Sequence, residues 1–333
     1  MKLIYFGQEA WEEQYIKTKL PGVAVVFTLG TLQDATGGDA EAEVLSIFVN
    51  SHVGAAEMDK YPKLRLIATR STGFDHIDVA EAKKRGIAIA SVPSYGVNTV
   101  AEFAFALILA LSRRMCEASA RVHTGSFSQA GLTGFDLQGK TLGIVGCGHI
   151  GVHSANIGSG FGMQVLVFDV HHDEALAQSC NFTYVSLEEL LAQSDIITIH
   201  VPYMPQTHHL INQKNISLIK KGAYLINTAR GAIVETEALV AALKEGILAG
   251  AGLDVLEEEG DMNDELKLLT GPHPQEEEMK VVLENHYLMT HPRVIITPHV
   301  AFDTNEAIRR MLDTTIENIA AYTNGGQKNI VAL

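Results

Sequence analysis

The chain is short of the residues that build staples, metal clusters and membrane spans. Three cysteines occur in 333 residues, Cys116, Cys147 and Cys180, with no CxxC pair and no metal-ligand spacing. That excludes a disulfide scaffold and a thiolate metal centre, and no metal is expected. A sparse, odd count suits free thiols in a reducing cytoplasm. Basic residues are also scarce: 25 Lys and Arg stand against 39 Asp and Glu, a net charge of −14. This argues against a nucleic-acid surface. It leaves an anionic small molecule open, because one arginine can dominate a closed site. The longest helical apolar stretch, Ala104 to Leu111, is too short to span a bilayer, so no membrane partner is expected. Residues Met1 to Phe6 read directly as a strand without a signal-peptide pattern.

What is present suits two α/β domains. The length and a hydrophobic content of 47% are ample for two cores. Strand-like segments at 2–6, 23–28, 44–49, 64–68 and 87–91 alternate with helix-like ones at 8–19 and 79–85, giving a small doubly wound unit. A long helix is expected from Thr99 to about Arg121, apolar on more than one face and so buried on two sides. A larger unit follows, with strands at 142–146, 164–169, 183–185, 195–200, 223–227, 248–253 and 294–297. Ser186-Leu-Glu-Glu189 fits a capping box, and a helix at 236–245 ends at Gly246. The acidic stretch Glu257–Glu284 reads as a solvated loop plus a helix around 276–288. A last helix, about 304–323, is expected to return to the first unit. The predicted fold is two doubly wound α/β domains, the larger Rossmann-type, with an active-site cleft between them. Residues 1–100 and 300–333 would form the substrate-binding domain and 101–299 the dinucleotide-binding one.

The strongest local signal is Thr141 to Gly151. A buried strand runs into Gly146-Cys-Gly148-His149-Ile150-Gly151, which fits G-x-G-x-x-G. Gly146 permits a tight turn, Gly148 lets backbone approach a pyrophosphate, and Gly151 lets the next helix pack on the strand. The helix N-terminus then offers N–H groups to the phosphates. A second strand ends at Asp169, 18 residues after Gly151, placed to accept from ribose hydroxyls and to repel a 2′-phosphate. The cofactor expected is NAD.

Hydride transfer to a carbonyl needs an acid for the oxygen, a cation for an anionic substrate and a dry pocket. Three strand ends supply candidates. Arg230 lies in Asn227-Thr-Ala-Arg-Gly231, and its planar fork suits a carboxylate. His299 lies in Thr297-Pro-His299, and imidazole exchanges protons near neutral pH. Glu257, Glu258 and Glu259 follow Asp254, and Glu259 would hold the imidazolium. Taken singly, an interdomain ion pair, a structural histidine and plain surface charge are the competing readings.

Together these motifs resemble the D-isomer-specific 2-hydroxyacid dehydrogenases, through essentially the whole chain, and among them the D-lactate dehydrogenases most. Gly131-Leu-Thr-Gly-Phe135, Pro93-Ser-Tyr95, Val100-Ala-Glu102 and Pro298-His-Val-Ala-Phe302 carry that second similarity. The resemblance implies reduction of pyruvate to D-lactate, with His299 as acid/base, Glu259 as its partner and Arg230 on the substrate carboxylate. It implies N–H groups of Thr72 and Gly73 on the same carboxylate, with Tyr95 and Phe302 crowding the substrate side chain. Besides the three glycines and Asp169, it assigns the cofactor to His149, Ile150, Val170, Val201, Pro202, Thr207, Thr228, Ala229 and Asp254. A cytoplasmic homodimer, or a tetramer made of two such dimers, is expected. Two positions depart from the family pattern, Phe103 in Ala-Glu-Phe and the pair Asp75-His76. Alternatives are a dehydrogenase of bulkier 2-keto acids (2-ketoisocaproate, phenylpyruvate), phosphite oxidation, and, in a different class, an NADH-sensing corepressor-like binding protein. NADH absorbance with and without pyruvate separates these classes.

Overall fold

In the computed structural model the chain divides into two units, Met1–Gly96 with Asp303–Leu333, and Val97–Phe302. The structure describes residues 1–7, 10–35, 37–257 and 276–331. The expected helix start at Gln8 and the glutamates Glu258 and Glu259 lie outside them.

The first unit holds a five-stranded parallel sheet, β1 (Lys2–Gly7), β2 (Ala24–Leu29), β3 (Val44–Ile47), β4 (Leu66–Thr69) and β5 (Ala88–Ala90), in the order β2-β1-β3-β4-β5. Side chains alternate across a strand, and here both faces are buried. Ile4, Phe6, Leu45, Ile47, Ile67 and Ile89 pack on one side, and Leu3, Tyr5, Val44, Leu66 and Ala68 on the other. Two-sided burial explains the near-continuous apolar runs of these strands. Helices α1 (Ala10–Lys19), α2 (Ala55–Asp59) and α3 (Val79–Arg85) accompany the sheet. The short α2 was not expected from the sequence, because five residues carry too little periodicity.

The second unit opens with α4 (Val97–Ser112) and α5 (Met115–His123). The single helix expected over 99–121 is therefore two. The Ser112 carbonyl accepts the N–H of Phe135 at 3.0 Å, so it is taken by the returning chain. Arg114 then adopts the left-handed region, φ 50°. A seven-stranded parallel sheet follows: β6 (Thr141–Val145), β7 (Gln164–Phe168), β8 (Thr183–Tyr184), β9 (Ile196–Ile199), β10 (Ala223–Asn227), β11 (Leu248–Leu253) and β12 (Val294–Ile296). Its order is β12-β11-β10-β9-β6-β7-β8. The order reverses at β6, so the crevice at the carboxyl ends of β6 and β9 is the switch point where such sheets bind ligands. Helices α6 (His149–Gly160), α7 (Glu174–Cys180), α8 (Leu187–Gln193), α9 (Thr236–Lys244) and α10 (Glu276–Thr290) belong to the same unit. The capping box of α8 is present: Ser186 Oγ accepts from Glu189 N, and the Glu189 carboxylate accepts from Ser186 N.

The last helix, α11 (Asn305–Thr323), is capped by Thr304 and belongs to the first unit, where Leu312, Ile316 and Ile319 pack beneath Leu3 and Tyr5. No helix of the described residues is long and apolar enough to cross a membrane, and none of their His, Cys, Asp and Glu groups could hold a metal.

Candidate active site

The glycine loop follows β6 and starts α6. Gly146 has φ +99°, and a side chain there would lie 2.7 Å from Val201 Cγ1. A Cβ on Gly151 would lie 2.1 Å from the Gly146 carbonyl oxygen. Both glycines are therefore dictated by packing of the turn against β6 and β9. Gly148 is different. A Cβ there would meet nothing within 4 Å. It is the N-cap of α6, with no side chain capping the helix. Open space at Gly148 and an uncapped helix end are the cradle a pyrophosphate fits. Asp169 reaches this loop: its carboxylate accepts the N–H of Cys147 at 2.6 Å and of His171 at 3.0 Å. These two bonds leave lone pairs for ribose hydroxyls. Cys147 is half-buried, and burial pushes its thiol up to about 11, so it is no nucleophile there.

Val170 stands 81% exposed beside Asp169, and Pro202 is exposed after β9. Both could flank a base. Thr207 is buried and spends its hydroxyl on its own loop, bonding Pro202 O at 2.7 Å and Met204 N at 2.8 Å. It shapes the loop without presenting a free hydroxyl. Beneath the glycine loop lies a residue that sequence reasoning missed. His200 is half-buried with its Nδ1 sealed from solvent, its Nε2 lies 3.0 Å from both Ser154 Oγ and Thr198 Oγ1, and its backbone N–H donates to Val145 O at 2.7 Å. Burial pushes its pKa down to about 3.

Three adjacent strand ends carry the polar residues. Buried Asn227 shapes the turn after β10 by donating to Arg230 O at 2.9 Å and accepting from Ala229 N at 3.0 Å. Thr228 is buried between them, and its hydroxyl makes no hydrogen bond among the described residues. An orphaned buried hydroxyl at the sheet's carboxyl edge fits a group completed by ligand. Arg230 is half-buried, and its Nη1 donates to Ala229 O at 2.8 Å. A side chain on Gly231 would strike the backbone of Leu256 at 2.0 Å, so this turn is pressed against the segment after β11.

That segment begins with Asp254, 1% exposed. Its N–H donates to Asn227 O and its carbonyl accepts from His299 N, each at 2.9 Å. Its carboxylate accepts from Thr297 Oγ1 at 2.5 Å, Val300 N at 3.0 Å and Ala301 N at 2.8 Å. Burial raises its pKa, opposed by these donors and by His299. One chain of contacts thus links the Arg230 turn, Asp254 and the His299 loop. His299 sits at φ 55°, a region that costs a non-glycine residue about 1–2 kcal/mol and clusters at functional sites.

Glu257 has a structural role that spacing alone did not reveal. It bonds His209 Nε2 at 2.6 Å and Thr236 Oγ1 at 2.7 Å. Glu259 lies outside the described residues. In the first unit, Thr72 and Gly73 lie in the loop after β4, and Tyr95 accepts from Arg310 Nε at 2.7 Å through its carbonyl. Phe302 is half-buried after the His299 loop.

A glycine loop at the switch point thus opens α6, and the Arg230 turn, Asp254 and His299 lie on neighbouring strand ends. Residues 105–301 match the model of the D-isomer specific 2-hydroxyacid dehydrogenase, NAD binding domain. The chain belongs to the D-isomer-specific 2-hydroxyacid dehydrogenases. It is an NAD-dependent oxidoreductase, and NAD is its cofactor. A glyoxylate reductase of Thermofilum pendens is 41% identical, over 86% of this chain and 79% of that one. A 2-hydroxyacid dehydrogenase homolog of Zymomonas mobilis is 35% identical over 96% of each. The D-lactate dehydrogenase of Aquifex aeolicus, solved with NAD and lactic acid, superposes with a TM-score of 0.85 at 36% identity, covering 97% of this chain and 96% of that one.

Proposed function

We propose that this dehydrogenase reduces pyruvate to D-lactate. NADH supplies the hydride to C2 when bound at the glycine loop. His299 gives a proton to the carbonyl oxygen, so that hydride plus proton convert C=O to CH–OH. Glu259 holds the His299 imidazolium, and Arg230 takes the substrate carboxylate together with the N–H groups of Thr72 and Gly73. Tyr95 and Phe302 bound the substrate methyl. The observation that carries this reading is the bonded array Asn227–Asp254–His299 on neighbouring strand ends, with Arg230 in the same turn as Asn227. Val170, Val201, Pro202, Thr228 and Ala229 complete the cofactor site, with Asp254 as its base rather than an open ligand.

Similarity to an Aquifex enzyme solved with lactic acid supports pyruvate. Similarity to a Thermofilum glyoxylate reductase supports a second reading, glyoxylate, which differs from pyruvate by one methyl. One methylene is worth about 1–3 kcal/mol of discrimination. The test is kcat/KM with NADH over glyoxylate, pyruvate, 2-ketoisocaproate and phenylpyruvate, with chiral analysis of the product. Pyruvate is expected to lead and to yield the D isomer. A lead by glyoxylate of tenfold or more would replace this reading with the second. Tight NADH binding without turnover of any keto acid would point to an NADH-sensing role.

We also propose a cytoplasmic homodimer. Helix α5 buries none of its residues, yet Met115 and Val122 on it and Phe127 beyond it stand 58%, 46% and 82% exposed. Such an apolar patch suits a two-fold contact. A monomeric mass by light scattering at micromolar concentration would refute it.

A further inference from the structure

Arg70 follows β4 in the first unit and is only 4% exposed. Its Nη1 donates to Ser46 O at 3.3 Å and Ser46 Oγ at 3.2 Å, and its Nη2 donates to Phe6 O. The guanidinium lies 4.2 Å from the centre of the Tyr5 ring. Phe6 belongs to β1 and Ser46 to β3, and the strand order reverses between these two. The guanidinium therefore bridges the switch point of this sheet, at its carboxyl edge, where α/β sheets bind ligands. It forms no ion pair with a carboxylate among the described residues. The buried Glu12 carboxylate instead accepts from Tyr5 OH at 3.0 Å. A buried, unpaired charge is costly, and an apolar side chain would serve packing better.

The loop beyond Arg70 is fixed by its own hydroxyls. Ser71 Oγ donates to Gly73 O at 2.6 Å. Its one proton is then spent, so Thr69 Oγ1 donates to Ser71 Oγ, at 2.6 Å, and His76 Nε2 donates to Thr69 Oγ1, at 3.1 Å. Thr72 Oγ1 donates to Val92 O at 2.8 Å, Val92 N donates to Ser71 O at 2.9 Å, and Arg70 N donates to Ile47 O at 2.8 Å. The N–H groups of Thr72 and Gly73 meet no backbone or side-chain acceptor among the described residues. A rigid loop thus presents two open donors, with a fixed buried cation at its root.

We propose that Arg70 is a positioning residue for the carboxylate of the substrate: it anchors the Thr72–Gly73 loop across β1 and β3 and supplies a permanent positive charge behind it. This rests on the reading of Thr72 and Gly73 as carboxylate donors. Oxamate, an unreactive carboxylate analogue of pyruvate, is titrated into the enzyme–NADH complex and followed by NADH fluorescence. At an effective dielectric near 20, a nearby unit charge changes the affinity of an oppositely charged ligand on the order of tenfold. R70M is expected to weaken oxamate by about that factor, leave the NADH Kd within twofold, and raise KM for the keto acid more than it lowers kcat. A purely structural role would lower Tm and leave the oxamate Kd unchanged. R70K keeps the charge but cannot bridge Phe6 and Ser46, and is expected to weaken oxamate by about threefold; it serves if R70M does not fold. An oxamate Kd equal to wild type in a folded variant overturns the proposal. Wild-type enzyme that binds NADH but not oxamate would instead overturn the carboxylate site itself.

Discussion

The peptide N–H of His299 donates to the carbonyl of Asp254 at 2.9 Å, while the Asp254 carboxylate holds the next two N–H groups, of Val300 and Ala301. Asp254 therefore sets both the left-handed backbone of His299 and the course of the loop after it. Asn at this position keeps one acceptor oxygen and turns an amide N–H₂ toward an N–H. D254N is expected to lower kcat by about 10²-fold, the effect of a misplacement near 1 Å. It should also cost about 1–3 kcal/mol of stability from the unpaired donor. Steady-state kinetics and urea melts check both. Full activity in D254N would show that His299 does not depend on this clasp.

Two glycines of one motif are expected to behave oppositely. Gly148 has φ −69° and open space where a Cβ would go. Alanine there is compatible with the backbone and should leave Tm unchanged or raise it, by up to about 1 kcal/mol of stability. It should still weaken NADH, because the methyl stands where backbone approaches the pyrophosphate. G151A instead places a carbon 2.1 Å from the Gly146 carbonyl oxygen and should cost about 1–3 kcal/mol. Parallel melts and NADH titrations separate the two; equal loss of stability would contradict the assignment of Gly148 to the ligand.

Asp169 carries two duties, since it also accepts the Cys147 N–H. D169A is expected to weaken NADH through loss of ribose contacts and loosening of the loop. It should weaken NADPH far less, because repulsion of the 2′-phosphate goes too. The ratio of kcat/KM for NADPH over NADH is expected to rise by about 10-fold or more. An unchanged ratio would place the discrimination elsewhere.

His200 makes stability depend on acid. Its folded pKa is about 3 against an ordinary 6.5. Below about pH 6.5 the unfolded chain binds a proton that the folded chain refuses. The contribution is complete above that pH and falls toward pH 3, by about 1.4 kcal/mol per unit. H200N does not titrate, so the difference in stability between wild type and H200N should shrink steadily from pH 7 to pH 4.5. A constant difference would mean that His200 takes up its proton as readily in the fold as in the unfolded chain.

Much of this is legible in the sequence. β10 and β11 fall where alternation and apolar content place them, and Ser186 caps α8 as its spacing predicts, because these signals depend on near neighbours alone. The single helix expected over 99–121 failed for a non-local reason: Phe135 competes for the Ser112 carbonyl, and no window on the helix contains Phe135. Glu257 and Glu258 are indistinguishable by composition from surface charge, yet Glu257 is spent on His209 and Thr236. Arg70 opens the loop that carries Thr72 and Gly73, but its partners on β1 and β3 left no local pattern, and His200 left none either, since its partners lie on separate elements.

The sequence by itself determined the alternation of strands and helices, the glycine loop with its acid, and the residue types able to do the chemistry. Those follow from steric rules and periodicities that act over a few residues. Only tertiary structure decided which strands reverse order, that Asp254 clasps the His299 loop, and that Arg70 spans β1 and β3. Those facts depend on which carbonyls and donors meet across the sheet, and burial, which makes an unmet polar group costly, selects among them.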